Sequence, residues 1–169
     1  MKRNSFLFYT LLILLFSCSD QLNERKMEKE YNSKIETFIE TCWNNQDLTT
    51  IDSIFSNDYT RKLNNVQIVS NPKELRDNMH VFFKGFPDLS IVVNSSITKN
   101  NHVVLKWTLT GTNTGVFGEV QATGKKVKVN GFSKILFNEA GKIEHEDIYY
   151  NELDFLQQLG YTLIPPNTE

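Results

Sequence analysis

The order of its segments predicts an α+β fold, with helices first and a curved antiparallel sheet after them. Three observations carry this expectation. Residues 27–45 and 71–85 repeat apolar side chains at helical spacing. From Leu89 onward the chain changes to strand-like runs of period two. The last runs are punctuated by Gly111-Thr112 and Thr123-Gly124, and a short amphipathic segment closes the chain. Helices followed by strands indicate a segregated α+β arrangement rather than alternating α/β units.

The first helix is predicted over Met27 to Asn45. Tyr31, Ile35, Phe38, Ile39 and Cys42 fall on one face, and Asn44-Asn45 ends it. A short second helix is expected from Leu48 to Phe55, capped by Thr49 or Thr50. Ser56-Asn57-Asp58 reads as a turn, and Tyr59 to Val69 as irregular chain with a short extended piece. Asn71-Pro72 opens the third helix, since Asn caps well and Pro suits the first turn. Its buried stripe is Leu75, Met79, Phe82 and Phe83, and Gly85 and Pro87 stop it.

Leu89 to Ser96 reads as a strand, and Lys99-Asn100-Asn101 as a turn. His102 to Thr110 alternates cleanly. Val103, Leu105, Trp107 and Leu109 share one face, and Lys106, Thr108 and Thr110 the other, as in a half-buried antiparallel strand. Gly111 to Gly124 is a connection with four glycines and reads as a mobile rim. Lys126 to Phe137 is the next strand, with a bend or bulge expected at Gly131. A turn at Asn138 to Gly141 leads to a last strand, Lys142 to Tyr150, and Leu153, Leu156 and Leu159 mark a closing helix.

Composition narrows the function. Apolar content of 40% with 12% aromatics supplies a core for one domain. The formal charge of -2 becomes -4 if Lys2 and Arg3 are removed, and no basic cluster is present. Nucleic-acid binding, which depends on phosphate contacts, is not expected. His80, His102 and His145 lie far apart without partners at ligand spacing, so no metal site is expected.

The N-terminus reads as a targeting segment. Lys2-Arg3 precedes an apolar run, Phe6 to Phe16, that is too short to span a bilayer as a helix. Leu15-Phe16-Ser17-Cys18 resembles a bacterial lipobox, which implies acylation of Cys18. The expected layout is a lipoprotein signal peptide over residues 1–17, the acylated cysteine and a polar tether over 18–29, the folded domain over 30–162, and a tail over 163–169. The protein would then sit in the cell envelope, held to a membrane by its lipid anchor alone. Cys42 would be the remaining cysteine. On the apolar stripe it reads as a small buried hydrophobe, with a reactive thiol as the other possibility.

Several segments together resemble the SnoaL-like polyketide cyclases (ester cyclases), a family of the nuclear-transport-factor-2-like superfamily. They are Phe86-Pro87-Asp88-Leu89, Trp107-Thr108-Leu109-Thr110-Gly111-Thr112, Thr114-Gly115, Thr123-Gly124, Gly141-Lys142-Ile143, and Tyr150-Asn151-Glu152-Leu153 through Leu159-Gly160. The resemblance covers roughly Tyr31 to Gly160. It implies a cone: a strongly curved antiparallel sheet with about three N-terminal helices packed on its concave face. It also implies no cofactor, a small apolar ligand in the cone, and a possible homodimer.

In the cyclases an acidic side chain on the last strand serves as general acid/base, and an apolar cavity raises its pKa toward neutral. With the flanking motifs aligned, that position is Ile148, which cannot exchange a proton. Two histidines common in the cyclases fall at Ser133 and Lys62. Two carboxylates could serve in place of the missing acid. Glu146 shares the face of Ile148, and Asp147 would turn inward only if a bulge near Glu146-Asp147 exchanged the faces. Either could instead be a surface charge. His145 and Asp147 could pair at i and i+2.

Trp107, Phe132, Tyr149 and Tyr150 read as core or as pocket wall, and Tyr150 is the best hydroxyl for that wall. Three functions follow: a lipid-anchored small-molecule binder with Ile148 in a dry wall, a cofactor-independent cyclase-, isomerase- or hydrolase-like enzyme using Glu146 or Asp147 with Tyr150, or an interaction module that docks a partner or a second copy.

Overall fold

The computed structural model describes residues 23–119 and 121–165. The segment expected to be a signal peptide, Cys18 and the last residues of the expected tail lie outside this range. A helix, α1, occupies residues 23–37 and continues as a π-helical segment, Phe38–Asn44. Then follow α2 (Ile51–Ile54), strands β1 (Phe55–Leu63) and β2 (Val66–Val69), and α3 (Pro72–Gly85). Strands β3 (Ser90–Lys99), β4 (His102–Thr112), β5 (Lys126–Phe137) and β6 (Ile143–Tyr150) lead to α4 (Glu152–Leu159). The six strands form one curled, unclosed sheet in the order β2-β1-β6-β5-β4-β3, with helices on one side. β1 runs parallel to β6, and every other neighbouring pair is antiparallel. No helix among the described residues is long and apolar enough to cross a membrane.

α1 starts earlier than its apolar stripe. Residues 23–30 are exposed yet helical, so the expected tether is partly a helix. Good helix formers dominate this stretch, and Glu30 pairs with Lys34 one turn on, at 2.7 Å. The stripe itself is buried from Tyr31 to Cys42. In α3, Asn71 caps as its position predicts, its side-chain oxygen accepting from the Glu74 backbone N–H at 2.9 Å.

The segment expected to be irregular is instead the β1–β2 hairpin. Asn64 (φ 48°) and Asn65 (φ 70°) both lie in the left-handed region, as a two-residue hairpin turn of type I′ demands. No bulge occurs at Gly131, for β4 and β5 pair without a register shift along their whole length. Gly131 makes room instead. A Cβ there would collide with the Trp107 indole, which covers the glycine on the concave face.

The connection expected to be a mobile rim is pinned by buried Asn113. Its amide donates to the carbonyls of Gly85 (3.2 Å) and Gly115 (2.9 Å), and its oxygen accepts from the N–H and hydroxyl of Thr123, each at 2.9 Å. One core lies between the concave face of the sheet and the helices. Leu105, Val129 and Ile135 come from the sheet, Phe38, Leu75 and Met79 from the helices.

Candidate functional site

The core does not fill the cone. A cavity of about 270 Å³ lies between α1, α3, α4 and the concave sheet. Its wall is mostly apolar, with Phe38, Trp43, Leu105, Val129, Ile148 and Phe155 among its residues. Ile68 and Glu152 line it and are exposed, which places its mouth by β2 and the start of α4.

The inward face of β6 is set by an irregularity upstream of the expected one. His145 pairs with Leu136 and Ile143 with Phe137, so Glu144 is the extra residue. An uninterrupted strand continuing from buried Ile143 would turn His145 and Asp147 inward. The bulge at Glu144 exchanges the faces. Glu146, Ile148 and Tyr150 therefore line the cavity.

Asp147 does not reach the cavity. It lies on the opposite face, where its carboxylate is 2.8 Å from His145 Nε2. His145 Nδ1 is in turn 2.7 Å from the Thr60 hydroxyl. The bulge that would have brought Asp147 inward does not occur at Glu146-Asp147. Phe132 and Tyr149 also face outward, at 52% and 41% exposed, so they belong to neither the core nor the pocket wall.

Glu146 is buried, and its partners come from β1. Parallel pairing sets Arg61 beside Glu146, and the alternation of β1 turns Tyr59 and Arg61 inward together. Three donor atoms converge on Glu146 Oε2: the Tyr59 hydroxyl at 2.9 Å, Arg61 Nε at 3.0 Å and Arg61 Nη2 at 2.8 Å. Arg61 Nε also lies 3.0 Å from the Tyr59 oxygen, and Nη1 donates to Asn78 Oδ1 at 3.5 Å. The guanidinium sits 5.9 Å from the Phe38 ring centre and 5.7 Å from that of Trp43, within cation–π range.

Burial alone would lower the Arg61 pKa, but the Glu146 charge and the Tyr59 oxygen outweigh it and hold the value above the usual one. Burial raises the Tyr59 pKa well above that of a free phenol, so its hydroxyl remains a donor. A buried charge without a partner is costly, and this geometry supplies the partner together with further hydrogen bonds.

Nearer the mouth, burial and then the Glu152 charge push the Tyr150 pKa up to about 12. Trp107 Nε1 donates to Ser133 Oγ at 3.0 Å, and Ser133 stands opposite Ile148 across the β5–β6 pair. Trp107, Ser133, Ile148 and Tyr150 are thus brought together with Glu146 around one cavity. The sequence reading missed Tyr59 and Arg61, although a Tyr-x-Arg pair at period two, just after an apolar helix, was visible. Lys62 lies next to Asp147 in the β1–β6 pairing.

Comparison with known proteins agrees with this architecture. AclR from Streptomyces galilaeus superposes with a TM-score of 0.70 at 27% identity, over 82% of this chain and 85% of that one. A SnoaL-like protein from Jannaschia Sp. CCS1 gives 0.71 at 19% identity, over 82% and 94%. TsrD from Streptomyces laurentii gives 0.69 at 18% identity, over 78% and 96%. Among curated proteins nothing matches. The family model described as SnoaL-like polyketide cyclase matches residues 33–159, which span the sheet, α2 to α4, the later part of α1 and every cavity-lining residue named above, and the chain belongs to that family.

Proposed function

We propose that the protein binds a small apolar molecule in its cone cavity and does so at the cell envelope, anchored through an acylated Cys18. The observation that carries the binding reading is the cavity itself. It is mostly apolar along its walls and holds few enclosed polar groups, the Glu146–Arg61 pair and Ser133 among them. Side chains do not fill this space, and a small, mostly apolar pocket with few fixed polar groups is the usual form of a small-molecule site.

Binding without turnover fits the residues better than cyclase-type chemistry. Isoleucine stands where the family's acid is expected, and Asp147 faces away. Glu146 is held by three donor atoms on one oxygen, which fixes its side chain in place as the partner of Arg61 and Tyr59. Glu146 and Tyr150 are the polar contacts for the guest, and Trp107, Ser133 and Ile148 form its wall.

Native mass spectrometry of the protein purified from the cells that make it tests this reading. One small molecule per chain, released on unfolding, is the expected result. A bare chain that also fails to take up added aromatic compounds would contradict it.

A second reading concerns association between copies. Val92, Ile97, Val104, Phe132 and Tyr149 are exposed, with Ile97 at 72%, and Phe132 pairs directly with Tyr149 on the outer sheet face. Lys106 and Lys134 flank these side chains, and the exposed Phe132–Tyr149 pair between them suits docking to a second copy. Sedimentation equilibrium would show a dimer, and Phe132→Lys would return it to a monomer.

A further inference from the structure

The polar floor of the cavity is unevenly used. Tyr59 Oη, Arg61 Nε and Arg61 Nη2 all point to Glu146 Oε2. Glu146 Oε1 accepts no hydrogen bond among the described residues. Among the described residues no side-chain oxygen or nitrogen that is sealed from solvent lacks a partner, so Oε1 borders open space. The open space beside Glu146 is the cavity.

A carboxylate oxygen carries lone pairs and no proton, so Oε1 is an acceptor only. It is oriented by its twin, which the β1 donors hold. We propose that Oε1 is the recognition group of the site, and that the guest is an uncharged, one- or two-ring molecule whose leading end carries a hydroxyl donor. This rests on the small-molecule reading above and names the class of molecule it implies.

Charge and size limit the class further. Arg61 and Glu146 already neutralise each other. A carboxylate guest would bring a second negative charge into an apolar enclosure, at a large desolvation cost. A cationic amine would leave the enclosure with net positive charge, and is disfavoured for the same reason. The volume of about 270 Å³ lies at the lower edge of ligand pockets, which suits one or two rings rather than four. Along β6, Tyr150 lies four residues from Glu146 on the same face, about 13 Å away at strand rise. Ile148 lies between them, so the guest's apolar body rests on Ile148 and its far end meets the Tyr150 hydroxyl near the mouth.

Isothermal titration of the full chain tests this, with Cys18→Ser so that no acyl chain competes for the cavity. The probes are 2-naphthol, 2-methoxynaphthalene and 2-naphthoate. The phenol should bind about ten- to a hundredfold more tightly than its methyl ether, the range for a hydrogen bond to a charged group. The carboxylate should bind more weakly than the phenol. In Glu146→Gln the amide oxygen takes over the donors of Tyr59 and Arg61, an amide N–H₂ faces the cavity, and the preference for the phenol should fall to near one.

Phenol and ether binding equally to the parent chain would overturn the Oε1 assignment while leaving the cavity reading intact. Tighter binding of 2-naphthoate would overturn the uncharged class. Binding of none of the three would overturn the cavity reading and this inference with it. The comparison within the parent chain stands even if Glu146→Gln does not fold.

Discussion

Arg61 is the side chain on which the cavity's polar floor depends. It is fully enclosed, charged, and satisfied by Glu146, Tyr59 and Asn78. Removing one member of such a pair strands the other charge, which costs about 3–5 kcal/mol, whereas replacing both with apolar residues is often close to neutral. Arg61→Met alone should therefore lower stability by about that amount, and Arg61→Met with Glu146→Leu and Tyr59→Phe, which leaves no buried hydroxyl without a partner, should recover most of it. Urea unfolding of the two variants beside the parent measures this. Equal losses in both would show that the pair does not act as a unit.

Alkaline pH gives a second test at the residue scale. The folded pKa of Tyr150 is raised to about 12, by burial first. The unfolded value is about 10. The folded state holds the proton where the unfolded state has released it. The stability this contributes is complete below about pH 10 and declines as pH rises through the folded value. Burial of Tyr59 acts in the same direction. Unfolding free energy should fall between about pH 10 and 12 in the parent, and less steeply in Tyr150→Phe. A profile identical in the two proteins would contradict the burial of this hydroxyl.

Among the elements, β6 decides which chemistry faces the cavity. Its bulge at Glu144 turns Glu146, Ile148 and Tyr150 inward and keeps His145 and Asp147 outside. The sequence indicated the strand but not the place of its extra residue, because bulge position depends on pairing with β5. β4 and β5 were legible to within two residues, since their apolar and polar residues alternate without a break. The β1–β2 hairpin was not. The outward positions of β1 are polar, one of its inward positions is an arginine, and β2 exposes Val66 and Ile68, so no apolar period betrays the hairpin. The Asn64-Asn65 pair was the available turn signal.

Gly131 and Asn71 carry predictions at this scale. Gly131→Ala places a methyl group against the Trp107 ring and should cost about 1–3 kcal/mol, with a shift in tryptophan emission as the indole moves. Unchanged stability and emission would mean the ring is not seated there. Asn71→Ala removes the cap of α3 and should cost about 1 kcal/mol in urea unfolding.

At the scale of the whole molecule, a curled sheet and its helices enclose more volume than their side chains occupy. The fold class was readable because the order of helices and strands is local information. The cavity's polar floor was only half readable. Glu146 could be named from its position on β6, but Arg61 meets it through a parallel pairing between strands more than eighty residues apart. The anchor belongs to this scale as well. If Cys18 is acylated, the protein should partition into the detergent phase of a cloud-point separation, and Cys18→Ser should move it to the aqueous phase.

The most direct measurement of the central claim is a crystal of the protein pressurised with xenon, a gas that enters apolar cavities and leaves packed interiors empty. The account predicts a xenon atom seated among Leu105, Val129, Ile148 and Phe155, on the apolar side of Glu146. Side chains packed across that space, with no gas bound, would contradict it.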